Sequence, residues 1–336
     1  MPIDLAQKDK NAPDSSRPTL DQAAAWLEPD SLAALGELMA VAGRLREQNL
    51  GNEIEFCAIV NARSGRCSED CAFCAQSIHH QAEAEVYPLL DSGQIVARAE
   101  AAAAHGVLRF GIVTSGRSCP EGAELDAICR AAEKLRRQEI ILPCASLGLL
   151  KPGQARRLAS AGFTRYHHNL EAGPEYFPRI CSTHGFQARV DTVLMAKEAG
   201  LEVCVGGIVG MGEDPRQRAE LALAVSELKP QSVPLNFLNP IPGTPLEGLT
   251  PLTPLQALAA VAVFRLYNPQ AHLRTCGGRH QVLGPLSPLM YAAGASATMT
   301  GNYLTTEGQD PYQDAAEAAA LGLKLIKNPS NHSEPK

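Results

Sequence analysis

Long apolar runs are missing from this chain, and so are clusters of basic residues. A helix that spans a bilayer needs roughly 18 or more consecutive apolar residues, so we expect no membrane span. Lysine and arginine number 30 against 36 aspartate and glutamate, which gives a formal net charge of −6. Binding to a nucleic-acid backbone requires a basic face, so we also expect no nucleic-acid partner.

The first 18 residues lack the apolar centre that a secretory signal contains. Residues 1–18 and 327–336 are rich in polar residues, and we predict that both segments are disordered. With neither a signal nor a membrane span, the sequence predicts a cytoplasmic protein.

Ten cysteines in 336 residues are too dilute for a scaffold held together by disulfides, which the cytoplasm disfavours in any case. We interpret Cys57, Cys129 and Cys181 as small core hydrophobes without a function. Another three cysteines stand close together in one short segment, and that spacing requires a different explanation.

Short β-rich segments alternate with alanine- and leucine-rich helical segments from about residue 53 onward. The predicted strands are 54–61, 107–113, 140–146, 164–169, 202–209, 232–238, 272–276 and 296–300. The predicted helices between them are 93–104, 123–136, 152–161, 186–198, 215–228 and 254–266. Eight strands that alternate with helices predict an α/β fold, a (β/α)8 TIM-type barrel, rather than an open sheet.

Apolar residues at helical spacing before residue 53 predict a separate helical extension. We therefore divide the chain into an N-terminal helical extension over 19–52, a barrel over 53–310 and a C-terminal helix over 311–326.

Cys67, Cys71 and Cys74 follow the first predicted strand, where the loops of such a barrel carry catalytic groups. Thiolates are soft ligands that suit zinc or iron–sulfur clusters. Structural zinc needs four closed ligands, and no fourth cysteine stands nearby. A [4Fe–4S] cluster held by three thiolates leaves one iron open, so the spacing predicts a catalytic cluster that binds a small molecule.

The pattern C-x3-C-x-aromatic-C, complete down to Phe73, resembles the signature of the radical S-adenosylmethionine (radical SAM) enzymes. The resemblance implies that the open iron chelates the amino and carboxylate groups of S-adenosylmethionine. It also implies that one electron cleaves the sulfonium to a 5′-deoxyadenosyl radical, a reaction that belongs to the cofactor.

Several further segments resemble the biotin synthase family, and together they cover nearly the whole predicted barrel. These segments are residues 61–66, 75–77, 168–171, 204–213 and 243–246. The resemblance implies a sulfurtransferase that inserts sulfur into dethiobiotin to form biotin, the last step of biotin biosynthesis. It also implies that an auxiliary iron–sulfur cluster inside the barrel supplies the sulfur.

Cys144 and Cys204 match two cysteine ligands of that auxiliary cluster, and Arg274 matches its unusual arginine ligand. The family's pattern has a further cysteine where this chain has Gly111. Glycine cannot bind iron, so the family's [2Fe–2S] cluster cannot form unchanged.

Cys276 offers a replacement, because it lies two residues beyond Arg274 and so shares a strand face with it. We hypothesise that Cys144, Cys204 and Cys276 hold the auxiliary cluster, with Arg274 nearby. The alternative for Cys276 is a buried core thiol, and Cys119 is a weaker candidate ligand.

Asn169 and Asn236 resemble the family's contacts to the ureido ring of dethiobiotin, for which an amide offers both a donor and an acceptor. Gly206 and Gly207 would let the backbone approach the adenosine of S-adenosylmethionine, since glycine permits close contact.

Arg189 resembles the arginine that binds the carboxylate of S-adenosylmethionine, where a bidentate fork suits the group. The alternative is a solvated arginine on a helix face. Glu171 stands where the family more often has an aspartate that contacts the cofactor, and His167 replaces an asparagine.

The resemblance also implies a homodimer and an electron-donor protein of the flavodoxin or ferredoxin type. Three alternatives remain open at the level of sequence. One is another radical SAM barrel enzyme, such as a hydrogenase maturase or a mutase. The second is a non-catalytic metal or iron–sulfur binding protein, and the third is a biotin synthase relative that uses another acceptor.

Overall fold

The computed structural model describes residues 17–326, which form a closed barrel of parallel strands surrounded by helices. The ten strands are β1 (Glu53–Arg63), β2 (Arg109–Thr114), β3 (Leu142–Ser146), β4 (Arg165–His167), β5 (Glu202–Cys204), β6 (Gly207–Val209), β7 (Ser232–Phe237), β8 (His272–Thr275), β9 (Ala297–Met299) and β10 (Lys324–Leu325).

Closure comes from β1, which pairs in parallel with β2 on one side and with β9 on the other. The order around the barrel is β1-β2-β3-β4-β5-β7-β8-β9, with β6 also paired to β7. The prediction of a (β/α)8 TIM-type barrel is therefore confirmed.

The fifth strand position is split, although the sequence predicted one continuous strand over 202–209. β5 ends at Cys204 and β6 begins at Gly207. An added Cβ at Gly206 would lie 1.8 Å from the Pro234 carbonyl oxygen, so the two backbones are in close contact here. Pro234 also lacks the N–H that a ladder residue donates, which explains why regular pairing stops at this point.

Helices fill the connections between the strands much as predicted. The α-helices within residues 17–326 are α1 (Leu20–Leu27), α2 (Leu32–Leu50), α3 (Ser92–Ala104), α4 (Ala123–Gln138), α5 (Gln154–Ala161), α6 (Phe186–Glu198), α7 (Pro215–Glu227), α8 (Pro254–Tyr267), α9 (Arg279–Leu283), α10 (Leu289–Ala292) and α11 (Pro311–Ala320). Four of them, α1, α3, α7 and α8, begin with a capping box, a local signal that the sequence itself carries.

The N-terminal helices α1 and α2 pack on the outside of α7 and α8. Every residue of α8 from Ala257 to Tyr267 is buried. A helix that is apolar all round has to be covered on its outer side as well, and α2 supplies that cover with Leu35 and Leu38.

Both ends of the described residues contact other parts of the structure. The segments predicted to be disordered, apart from Arg17 and Pro18, lie outside residues 17–326, and the Pro18 carbonyl accepts a hydrogen bond from Tyr267 at 3.1 Å. The helix predicted over 311–326 ends at Ala320, and β10 follows it and pairs with β1. No helix among the described residues is long and apolar enough to cross a membrane.

Candidate active site

A cavity of about 330 Å³ opens inside the barrel at the carboxyl ends of the strands. Its walls combine strand residues with the loops that follow β1, β7 and β9, including Phe73, Asn239 and Tyr303. Active sites of such barrels are built at this end, so the cavity is the candidate active site.

The loop after β1 carries the three clustered cysteines, of which Cys74 lines this cavity. The Cys67 amide donates to the Gln76 carbonyl at 2.9 Å, and the Cys74 amide donates to the Cys71 carbonyl at 2.9 Å. These bonds fold the loop back on itself, and Cys74 lines the cavity beside Phe73. All three thiols are free, so their number, chemistry and position fit a cluster held at three corners.

Four further cysteines line the cavity on the barrel strands: Cys57, Cys144, Cys204 and Cys276. All four are buried and free, with Cys276 completely enclosed. The pKa values of Cys57, Cys144 and Cys276 are each raised in part by at least one other thiol of the group, which reflects how near these thiols lie to one another. The structure therefore brings together the three cysteines that we predicted, and adds Cys57, which we had interpreted as a plain core residue.

Burial raises the pKa of Cys57 to about 12 and raises the pKa values of Cys144 and Cys276 as well. Burial acts on Cys204 in the same sense, but a hydrogen bond to His167 and the nearby positive charges outweigh it and lower the pKa of Cys204 to about 6. His167 stands opposite Cys204 in the pairing of β4 and β5. Cys204 is therefore the thiol of this group that ionises most readily.

Glu55 lies at the amino-terminal end of the barrel and pairs with three arginines. It accepts from Arg109 Nε at 2.9 Å and from Arg165 Nη1 at 3.3 Å, and it also binds Arg274. The carboxylate is 1% exposed. Burial alone would raise the pKa of Glu55, but the three guanidinium groups hold it well below its usual range.

The same network includes Arg274. The side chain lines the cavity, but its Nη2 donates to the Glu55 carboxylate. The pairing engages Nη2, whereas the buried Arg274 Nε has no hydrogen-bond partner in the protein. The role of Arg274 as a ligand stays a prediction.

Gly111 faces the same cavity and stands in register between Ile59 on β1 and Cys144 on β3. An added Cβ at Gly111 would lie 3.0 Å from Ile59 Cγ2. The space that a longer residue would need at this position is thus partly taken by Ile59.

Asn169, Glu171 and Arg189 form one group beside the cysteine loop. Arg189 Nη1 donates to the Asn169 carbonyl at 2.8 Å and lies 3.6 Å from the Glu171 carboxylate, and Arg189 Nε donates to His184 at 3.1 Å. Arg189 is 8% exposed, so the alternative of a solvated helix-face arginine is wrong. The buried Asn169 Oδ1 has no hydrogen-bond partner in the protein and faces a cavity that could supply one.

Asn236 lines the cavity too, but its amide already binds backbone groups. Its Nδ2 donates to the Gly207 carbonyl at 3.2 Å, and its Oδ1 accepts from the Gly277 amide at 3.0 Å. Gly206 presses against Pro234, and a Cβ on Gly207 would lie 2.6 Å from the Glu171 carbonyl oxygen. Both glycines are thus required by backbone packing, and their contact with adenosine stays a prediction.

Two more cysteines are placed by the structure. Cys119 is buried against Pro120 and does not line the cavity, so it is not near the four barrel thiols. Cys181, which we had interpreted as a core residue, lies with its Sγ 3.8 Å from Cys71 Sγ. No motif in the sequence links these two cysteines, because 110 residues separate them.

Comparison with known families gives two matches along the chain. Residues 62–225 match the Radical SAM superfamily, and residues 234–324 match the Biotin and Thiamin Synthesis associated domain. The first match spans the cysteine loop and the second spans β7 to β10.

Similar curated proteins share one name, "Biotin synthase". The chain is 52% identical over 288 residues to the protein from Geobacter sulfurreducens, covering 86% of this chain and 88% of that one. It is 48% identical over 295 residues to the protein from Trichlorobacter lovleyi, covering 88% and 89%.

Solved structures with the same fold include methylornithine synthase, with a TM-score of 0.81, 19% identity, and coverage of 94% of this chain and 96% of that one. The FeFe-hydrogenase maturase HydG from Carboxydothermus hydrogenoformans gives a TM-score of 0.79 at 17% identity, covering 93% and 76%. Identities this low establish the shared barrel alone.

Proposed function

The chain belongs to the biotin synthase family of radical SAM enzymes, and from that membership we propose how its own residues carry out the reaction. It is an enzyme that inserts sulfur into dethiobiotin to form biotin, and it uses a [4Fe–4S] cluster and S-adenosylmethionine. The observation that carries the proposal is that one cavity is lined both by Cys74 of the cysteine loop and by four free thiols on the barrel strands.

We assign Cys67, Cys71 and Cys74 to the [4Fe–4S] cluster. When bound, that cluster supplies the electron that cleaves S-adenosylmethionine and yields the radical that abstracts hydrogen. The protein's part would be to hold the three thiolates on one folded loop, with Cys74 lining the cavity where the small molecules would bind.

Arg189 and Asn169 are proposed to orient the small molecules beside that loop. Arg189 is buried, and its fork-shaped guanidinium suits the carboxylate of S-adenosylmethionine, while Glu171 compensates its charge. The unpartnered Asn169 Oδ1 can accept a hydrogen bond from a ureido N–H of dethiobiotin. Asn236 presents the edge of an amide that is already fixed by the backbone, so it needs no reorganisation to bind.

We propose that Cys57, Cys144, Cys204 and Cys276 hold the auxiliary iron–sulfur cluster, from which the sulfur is drawn. The proposal is supported by four buried free thiols around one cavity. The set differs from the family's three cysteines and one arginine, because Gly111 removes one ligand while Cys57 and Cys276 add two. His167 orients Cys204 through their hydrogen bond.

The electron donor is proposed to be a flavodoxin or ferredoxin, the protein to be a homodimer, and its location to be the cytoplasm. The first two proposals follow from the family resemblance, and the third keeps the expectation from the sequence.

The function is tested by anaerobic incubation of the reconstituted full chain with dethiobiotin, S-adenosylmethionine and a reductant. We expect biotin, with about two 5′-deoxyadenosines per biotin because two C–H bonds are broken. Formation of 5′-deoxyadenosine without biotin would contradict sulfur insertion and favour another radical SAM reaction.

The auxiliary site is tested by iron and sulfide counts on Cys57→Ala and Cys276→Ala, with Cys129→Ala as the control. Cys129 is also a buried cysteine, but it lies on α4 outside the cavity. We expect the first two variants to lose the second cluster while keeping the [4Fe–4S] spectrum. An unchanged iron and sulfide content in both would rule out these ligands.

A further inference from the structure

Cys181 and His184 lie beside Cys71 at the end of the loop that follows β4. Cys71 Sγ is 3.8 Å from Cys181 Sγ, and Cys181 Sγ is 3.3 Å from His184 Nδ1 and 3.9 Å from His184 Nε2. The ligand atoms of all three residues lie within 4.8 Å of one another. All three residues are at most 9% exposed, so the group is a built cluster and not a chance contact at the surface.

These separations match a single tetrahedral zinc ion. With Zn–S bonds of about 2.3 Å and a Zn–N bond of about 2.0–2.1 Å, tetrahedral angles place two sulfurs about 3.8 Å apart and a sulfur and a nitrogen about 3.5 Å apart. The Cys71–Cys181 distance equals the first value, and the distance of 3.9 Å from Cys181 Sγ to His184 Nε2 is slightly longer than the second. Thiolate and imidazole are also the ligand types that zinc prefers.

The surrounding residues orient the ligands of such a site. Glu69 Oε2 accepts a hydrogen bond from His184 Nδ1, which leaves Nε2 to face a metal in the usual carboxylate–histidine arrangement. Asp70 Oδ1 lies 3.3 Å from Cys181 Sγ and accepts from the Ser182 amide at 2.9 Å, so it holds the Cys181 thiol in place. Asp70 is not one of the residues whose ligand atoms all lie within 4.8 Å of one another. Arg189 Nε, which donates to His184 Nε2, would have to give up that bond.

We propose that Cys71, Cys181 and His184 bind one Zn²⁺ ion, with water as the fourth ligand, when the radical SAM cluster is absent. Cys71 cannot serve both metals at once, so zinc and the [4Fe–4S] cluster exclude each other. The zinc site stands on its own geometry, whereas the competition rests on the proposed role of Cys71 in the cluster.

The site is tested with Co²⁺ as a spectroscopic probe in the full-length Cys67→Ala/Cys74→Ala variant, prepared without iron. Loss of these two cysteines removes the competing cluster loop but leaves the proposed zinc ligands intact. We expect one tightly bound Co²⁺ with tetrahedral and thiolate charge-transfer bands, which one equivalent of Zn²⁺ displaces. The same variant carrying Cys181→Ser or His184→Gln should bind Co²⁺ at least about tenfold more weakly, because the site has then lost one of its three protein ligands.

Cys129→Ala in the same background is the matched control and should leave the Co²⁺ affinity unchanged. Circular dichroism of each variant checks that the barrel has folded. Unchanged Co²⁺ affinity in both the Cys181→Ser and His184→Gln variants would show that the metal binds elsewhere and would overturn the proposal.

The competition is tested separately on the otherwise unmodified chain. One equivalent of Zn²⁺ added before iron and sulfide should lower the yield of the [4Fe–4S] absorbance, and Cys181→Ser should restore it. If zinc left cluster assembly unaffected while the cobalt result stood, the zinc site would remain and the assignment of Cys71 to the cluster would be wrong.

Discussion

At the scale of single residues, Glu55 is a buried acid whose charge depends on compensation by arginines. It pairs with Arg109, Arg165 and Arg274 while almost fully buried. Removing one partner of a buried ion pair costs more than the pair itself contributes, because the remaining charges stay buried without compensation.

We therefore expect Glu55→Gln to lower the free energy of unfolding by about 3 kcal/mol at pH 7. Urea denaturation measures this difference. Asp126→Asn is the control, because it breaks an ion pair with Arg157 in which both side chains are 40% exposed, and such pairs contribute at most about 1 kcal/mol. An equal loss in the two variants would contradict the special position of Glu55.

The stability difference between the wild type and Glu55→Gln should also depend on pH. The pKa of Glu55 is lowered in the folded state, so its contribution is complete above the unfolded value of about 4.3 and is lost as the pH falls further. A protonated Glu55 resembles glutamine, so the stability difference between the wild type and Glu55→Gln should shrink below about pH 4. Urea titrations at pH 7, 5 and 3.5 test this, and a constant difference would count against it.

The site residues also mark how far sequence reasoning reaches. Cys144, Cys204 and Cys276 were found because a resemblance and the two-residue period of a strand place them in the barrel. Cys57 carries the same signal, since it stands on β1 two residues beyond the inward-facing Glu55. Cys181 carries none, because its approach to Cys71 depends on how two distant loops pack.

At the scale of secondary-structure elements, α2 does more than extend the chain. It covers α8, whose own sequence is too apolar to face water. Leu38 of α2 is 2% exposed, whereas Leu32 at the start of the same helix is 72% exposed.

Leu38→Ala should therefore lower the free energy of unfolding by about 2–4 kcal/mol, through lost burial and the cavity that it leaves. Leu32→Ala removes the same atoms from an exposed site and should change stability by no more than about 0.5 kcal/mol. Thermal and urea unfolding compare the two, and similar effects would mean that α2 does not contribute to the core.

Most elements could be predicted because hydrophobic periodicity and capping signals are local. The split between β5 and β6 could not, because it arises where Gly206 meets Pro234 of a different strand. The helices α9 and α10 were also missed, since helices of five and four residues are too short to present a periodic pattern.

At the scale of the whole molecule, the cavity lies at the carboxyl end of the barrel, between the strands and the loops that follow them. Residues 303–306 line its mouth after β9, and the Leu304 carbonyl accepts a hydrogen bond from Asn61 at 3.3 Å. Ligands held in the cavity would contact this segment.

Binding of S-adenosylmethionine and dethiobiotin should therefore slow amide hydrogen exchange in residues 303–306, because contact with the ligands reduces local opening. Residues of α4, on the outside of the barrel, serve as the internal control and should exchange at the same rate with and without ligands. Equal protection of both segments would indicate a general stabilisation, and no protection at the mouth would place the ligands elsewhere.

The charged group around Glu55 limits how small molecules can reach the cavity. Within residues 17–326 it plugs the amino-terminal end of the barrel, beneath the four strand cysteines. We therefore expect dethiobiotin and S-adenosylmethionine to enter by the same carboxyl-terminal opening, with dethiobiotin lying nearer to those cysteines. On that arrangement dethiobiotin binds before S-adenosylmethionine and leaves after it, so one shared entrance sets the order of binding in each catalytic cycle.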